Sequence, residues 1–171
     1  MNRKFFVKSI LATSIFAMVS LLTFGQEEKP SPARVAEGTV AGAKITINYS
    51  SPAVKGRTIW GDLVPLGQVW RAGANDATTF ETSKDIKIQG KTLPAGKYSF
   101  FIIPDQDQSI MIFNKVAKQW GAYSYDQSQD ALRVSVPSQQ TSSFEERLVY
   151  EVTSKGFEIR WEYGKAAATI E

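Results

Sequence analysis

The 171-residue chain contains no cysteine and no histidine. The first absence excludes disulfides, a thiol nucleophile and thiolate metal sites. The second removes Ser-His-Asp catalysis and the commonest zinc ligand. Any catalysis must therefore run on Asp, Glu, Lys, Tyr or Arg. Beyond residue 25 no window keeps a 3.6-residue apolar period for three turns, so helices are not expected there. No internal repeat is visible.

What is present begins with an export signal. Arg3, Lys4 and Lys8 flank the start of an apolar run over residues 10–24, interrupted by Thr13, Ser14, Ser20 and Thr23. Thr23-Phe24-Gly25 then puts small residues at the two positions a signal peptidase reads, before Gln26. The run is shorter than the roughly 20 residues of a spanning helix. Residues 1–25 are thus read as a cleaved signal, an uncleaved anchor being the alternative, and the destination as periplasmic or secreted. No cysteine follows the run, which excludes a lipid-modified cysteine anchor. Membrane contact is expected only through the signal before cleavage.

Removing the signal changes the charge argument. It holds three of the 20 Lys+Arg and none of the 17 Asp+Glu, leaving 17 of each sign and no net charge. The isoelectric point near 9.1 belongs largely to the signal. A neutral domain lacks the basic footprint that phosphate backbones require, so no nucleic-acid partner is expected. The 146 residues left after removing 25 of 171 suit one domain whose core needs no disulfide.

Residues 26–34, proline-containing and polar, read as a flexible lead, and residues 35–171 as a single β domain. Ile45, Ile47 and Tyr49 alternate onto one face until Pro52 ends the run. Residues 85–89 alternate with Ile86 and Ile88 inward. Residues 97–113 form a hairpin of two buried strands around Pro104-Asp105-Gln106-Asp107. Leu132, Val134 and Val136 alternate before a polar connection over residues 137–143. A last hairpin turns at Lys155-Gly156, with Phe157, Ile159, Trp161 and Tyr163 on one face, and residues 166–170 close the sheet. The pattern predicts an all-β fold: a single antiparallel β-sandwich or partly open barrel of about eight to ten strands, with one long irregular loop segment.

That segment, YSSPAVKGRTIWGDLVPLGQVWRAGANDATTF over residues 49–80, holds two of the four tryptophans, Trp60 and Trp70, and two arginines, Arg57 and Arg71. Long aperiodic loops in compact domains are commonly functional. An arginine beside a tryptophan stacks on it or forks onto an anion. The site reading gives Arg57 and Arg71 to an anionic group or the polar face of a sugar. The structural reading makes them bridges to Asp62, Asp76 or Glu81. Trp60, Trp70 and Trp120 are either ligand-stacking faces or plugs over the core, two of the three being expected as plugs. Asn75 and Asp76 either cap a tight turn or are presented by it to a ligand. A hydrolase would draw its acid and base from Asp62, Asp76 and Glu81. Asp105-x-Asp107 lacks the glycine and terminal glutamate of a dedicated calcium loop. No cofactor or metal is expected. The leading expectation is a non-enzymatic binding module of the envelope for a carbohydrate or an anionic small molecule, with a structural interaction domain of the envelope as a further alternative.

The run above, followed by LPAGKYSFFIIP, IFNK, QWGAYSYD, ALRVSVP and IRWE, resembles an exported bacterial family named domain of unknown function 2911, over roughly residues 35–161. The resemblance implies a secreted or periplasmic β-rich domain and no particular activity. The family's recognisable pieces fall on Gly56-Arg57, Trp70-Arg71, Gly73-Ala74-Asn75 and Gln119-Trp120-Gly121.

Overall fold

Alternating apolar residues separated by turn-forming pairs give nine strands: β1 (Ala33–Val40), β2 (Ala43–Ser50), β3 (Thr78–Thr82), β4 (Ile86–Ile88), β5 (Lys91–Leu93), β6 (Gly96–Ile103), β7 (Gln108–Asn114), β8 (Asp130–Thr153) and β9 (Gly156–Thr169). The computed structural model describes residues 30–171. The expected signal, residues 1–25, and the first part of the lead lie outside the described residues. Among those described there is no α-helix, only a 3-10 turn at Gln127–Gln129. Seven strands form one antiparallel sheet in the order β1-β2-β3-β6-β7-β8-β9, and β4 and β5 form a separate hairpin.

The sheet curls until its ends nearly meet. The first half of β8 pairs with β7, and its second half pairs with β9. That second half also lies against β1, where Gly38 leaves no room for a Cβ beside the Val152 side chain, 2.7 Å away. Residues following β2 complete the closure: Leu148 N–H donates to Pro52 O at 2.9 Å and Val54 N–H to Glu146 O at 2.7 Å. The β4–β5 hairpin covers one end and is tied to the chain's last residues by paired bonds between Lys87 and Glu171. The core is aromatic. Phe80, Phe100, Phe113, Phe157 and Tyr150, from five strands, contact one another with ring centroids 5.0–6.5 Å apart. Packed rings of this kind dominate core energetics.

The expected fold class holds, with local differences. β1 starts at Ala33, two residues inside the expected lead, because Ala33 and Arg34 pair with Ser50 and Tyr49. Lys91–Leu93 forms a short strand held by β4. The expected connection over residues 137–143 is continuous strand. Pro137 sits opposite Gln108, the first residue of β7, where a missing N–H is tolerated. β9 likewise runs on through the 166–170 region. Tyr163 does not share the face of Phe157, Ile159 and Trp161. Glu162 takes a left-handed φ of 55°, the register slips, and Tyr163 turns outward against Phe144.

Two glycines separate backbone strain from crowding. A Cβ at Gly156, where φ is 156°, would lie 1.9 Å from Ala168 O, whereas Gly90, with φ 74°, faces open space. Gly156→Ala is expected to lower unfolding free energy by about 3 kcal/mol or more in urea denaturation, and Gly90→Ala by only about 1–2 kcal/mol. Equal losses would contradict the contact between the start and end of β9.

Candidate functional site

The irregular stretch between β2 and β3 is immobilised at successive points. Ser51 Oγ donates to Leu148 O at 2.7 Å. A tight loop follows, in which Val64 N–H donates to Ile59 O at 2.8 Å. Trp70 pairs with Ile102 through both backbone groups, at 2.8 and 2.9 Å. Ala72 is fully buried and held at a left-handed φ of 53°. Its carbonyl accepts from Tyr150 Oη at 2.7 Å and from Thr78 Oγ1 at 2.9 Å. Burial pushes the Tyr150 phenol well above its ordinary pKa, which keeps it a donor. Gly73 is required where the turn presses on Thr78 Oγ1, 2.8 Å from where a Cβ would stand.

Three indoles gather beside this turn. Trp70 stacks on Trp161 with centroids 6.0 Å apart and planes at 13°. Trp60 stands nearly perpendicular to both, 5.8 Å from Trp70 and 6.2 Å from Trp161. Its Nε1 donates to Trp161 O at 3.3 Å. Gly164 passes so close that a Cβ there would lie 2.5 Å from that nitrogen. Trp161 is 1% exposed, and its own Nε1 has no acceptor. A buried orphan donor costs about 1–3 kcal/mol. Trp120 stands apart, 60% exposed. Of the three tryptophans weighed from sequence, Trp60 and Trp70 pack on the core. Trp161 completes the cluster. Its alternation marked it as core, and only its size hinted at more.

Two cavities open on this cluster, and Trp70 and Trp161 line both. One, of about 370 Å³, has Lys55, Arg57 and Arg71 in its wall, with Leu63 and Val64, and no carboxylate. The other, of about 420 Å³, is lined by Trp60, by amides and hydroxyls, and by Asp105 and Lys165. Both fall within the usual range of small-ligand sites.

The arginines do not make the bridges considered for them. Arg57 donates to backbone oxygens of its own loop, Nε to Val54 O at 3.0 Å and Nη2 to Ala53 O at 2.5 Å. Arg71 makes one long bond, Nη1 to Asn75 O at 3.4 Å, and has no ion pair among the described residues. Glu81 pairs instead with Lys97 at 3.8 Å. The fold does bring Arg71, Asn75, Asp76 and Trp120 together: Asp76 bridges to Trp120, and Gly121 N–H donates to Asn75 O at 3.2 Å. Asn75 occupies a left-handed φ of 61° and donates weakly to Ser50 Oγ at 3.4 Å. Asp62, Asp76 and Glu81 are exposed and line neither cavity. No three potential metal-ligating side chains cluster among the described residues.

Lys165, in the wall of the larger cavity, is committed elsewhere. Its Nζ lies 2.5 Å from Glu158, which Arg160 also contacts. Burial alone would raise the Glu158 carboxyl, but hydrogen bonds from Lys165 and Arg160 outweigh it and hold the group below its ordinary value.

These features define a nearly closed antiparallel β domain with an irregular excursion wedged beside one face and two cavities sharing an indole pair. The chain belongs to the family described as "Protein of unknown function (DUF2911)", whose family model matches residues 31–170. No curated protein and no solved structure matches it.

Two outcomes follow for stability. Tyr150→Phe is expected to cost about 1 kcal/mol in urea denaturation, since Thr78 still serves the Ala72 carbonyl. Combining it with Thr78→Val orphans that carbonyl, so the double variant should lose more than the sum; strict additivity would show the two hydroxyls to be independent. The depressed Glu158 gives a sign for pH. Its contribution is complete above the ordinary glutamate value near about 4.3 and fades as pH falls through the lower folded value. Glu158→Gln should therefore be less stable than the parent at neutral pH, with the difference shrinking in acid. A constant difference would contradict this.

Proposed function

We propose that this protein is an exported, non-enzymatic binding module that takes a small organic anion with an apolar body into the 370 Å³ cavity. The export part of the reading rests on residues 1–25. One observation carries the rest: Lys55, Arg57 and Arg71 converge on a wall of Trp70, Trp161 and Val64 without a carboxylate among them. Cations placed together without counter-charge favour a negative ligand, and a low-dielectric aromatic wall strengthens that preference.

Arg71 is the principal anchor. Its fork is occupied by a single long bond to the Asn75 carbonyl, so donors remain for bidentate contact with a carboxylate or phosphate. Arg57 supplies charge from a guanidinium already fixed by the Val54 and Ala53 carbonyls. Lys55 has no carboxylate partner among the described residues, although its backbone N–H donates to Glu146 at 2.9 Å. Asn75 and Asp76 set the turn behind Arg71. The hydrolase reading loses support because Asp62, Asp76 and Glu81 border neither cavity.

The test is calorimetric titration and thermal shift with benzoate, indole-3-acetate, citrate and inorganic phosphate. At least one aromatic carboxylate should raise the midpoint, and its affinity should fall with ionic strength. Arg71→Ala should weaken it about tenfold or more, the loss of a charge-assisted bond. Failure of every probe, or equal binding by the variant, overturns the proposal.

A further inference from the structure

The 420 Å³ cavity is chemically unlike its neighbour, and we propose that it is a second site, for a neutral saccharide unit. Its apolar wall is built from Trp60, Trp70 and Trp161, with Ile102 and Ile159 behind them. Its polar groups are the side chains of Gln106, Gln139 and Gln140 and the hydroxyls of Ser109 and Ser138. The two serine hydroxyls bond each other at 2.8 Å. The three glutamines are exposed, and none of their amides has a protein partner among the described residues.

The wall holds one cation and one carboxylate, and only the cation is ion-paired. Lys165 is held by Glu158, and Asp105 Oδ1 accepts from the Gln106 backbone N–H at 2.7 Å. An anion would meet Asp105 and find no free cation. A purely apolar ligand would bury the amides without partners, which is unfavourable. A pyranose meets both demands. Its C–H face lies on an indole, and its hydroxyls, each a donor and an acceptor, match carboxamides that offer both.

The backbone shapes the opening for such a ring. Gln140 pairs with Gly164 at the last register position before the β8–β9 ladder slips, and beyond it the two strands lose their regular pairing until Glu145. The missing side chain at Gly164 lets Trp60 stand upright against β9, perpendicular to the stacked pair. The wall is therefore an indole corner and not a flat slot, which suits a puckered ring better than a planar base.

This inference does not depend on the anion site, because Arg71 and Lys55 are absent from this wall and the glutamines are absent from the other. It is tested by tryptophan fluorescence and calorimetric titration with galactose, N-acetylglucosamine, cellobiose and maltose, with adenosine as the planar competitor. At least one saccharide should give a saturable fluorescence change. Gln140→Ala should weaken that binding about fivefold, the loss of one neutral hydrogen bond, while Arg71→Ala leaves it unchanged. Because Gln140 is exposed, the variant is expected to fold, which the parent-like far-ultraviolet spectrum and midpoint verify. The proposal is overturned if no saccharide saturates, if adenosine binds and the sugars do not, or if a folded Gln140→Ala binds as the parent does.

Discussion

A single buried carbonyl, that of Ala72, governs what the irregular segment can present. A left-handed alanine is strained, and a carbonyl without a partner in the core would be costly. Both are tolerated because Tyr150 and Thr78 reach the same oxygen from β8 and β3. That clamp fixes the chain direction on either side. Upstream it delivers Trp70 onto Trp161, and downstream it sets Asn75 in the turn that meets Gly121. Arg71, between them, has its Cα position dictated by its neighbours and its guanidinium left largely uncommitted.

The stacked indoles connect this clamp to the two cavities. An aromatic core that continues to the surface would normally be sealed by its own rings. Here Trp60 is turned through nearly 90° against the other two, so the cluster has faces and edges that cannot close on themselves. The cavities then differ only in what surrounds the shared pair. Loop residues from one side supply cations, and the β6–β7 turn and the middle of β8 supply amides. A short shift along the same aromatic wall thus changes the lining from cationic to mostly uncharged polar groups.

The alternation of Ile45, Ile47 and Tyr49, and the hairpin over residues 97–113, made the sheet legible because each strand buries one face and carries its own period. The excursion over residues 49–80 was equally visible, since it breaks that period while concentrating Trp and Arg. What composition hides is assembly. Trp161 reads as one more inward residue of β9, and nothing local says that Trp70, ninety-one positions earlier, will stack on it. The bulge at Glu162 leaves no signature in its residue type, so strict alternation puts Tyr163 on the wrong face. In sequence, Arg57 and Arg71 have carboxylates at hand in Asp62, Asp76 and Glu81. In space the nearer acceptors are carbonyls of their own turns.

The 24-residue strand β8 has one more implication, for the order in which this molecule comes into being. The segment around Ser51 and Ala72 is shaped by Leu148 and Tyr150, 97 and 78 positions later in the chain. Such distant pairings are slow to form because loop closure must precede the reward of contact. A chain emerging amino-terminus first therefore carries its Arg- and Trp-rich stretch unformed until Leu148 and Tyr150 have been made, so the walls of both cavities take shape only after β8.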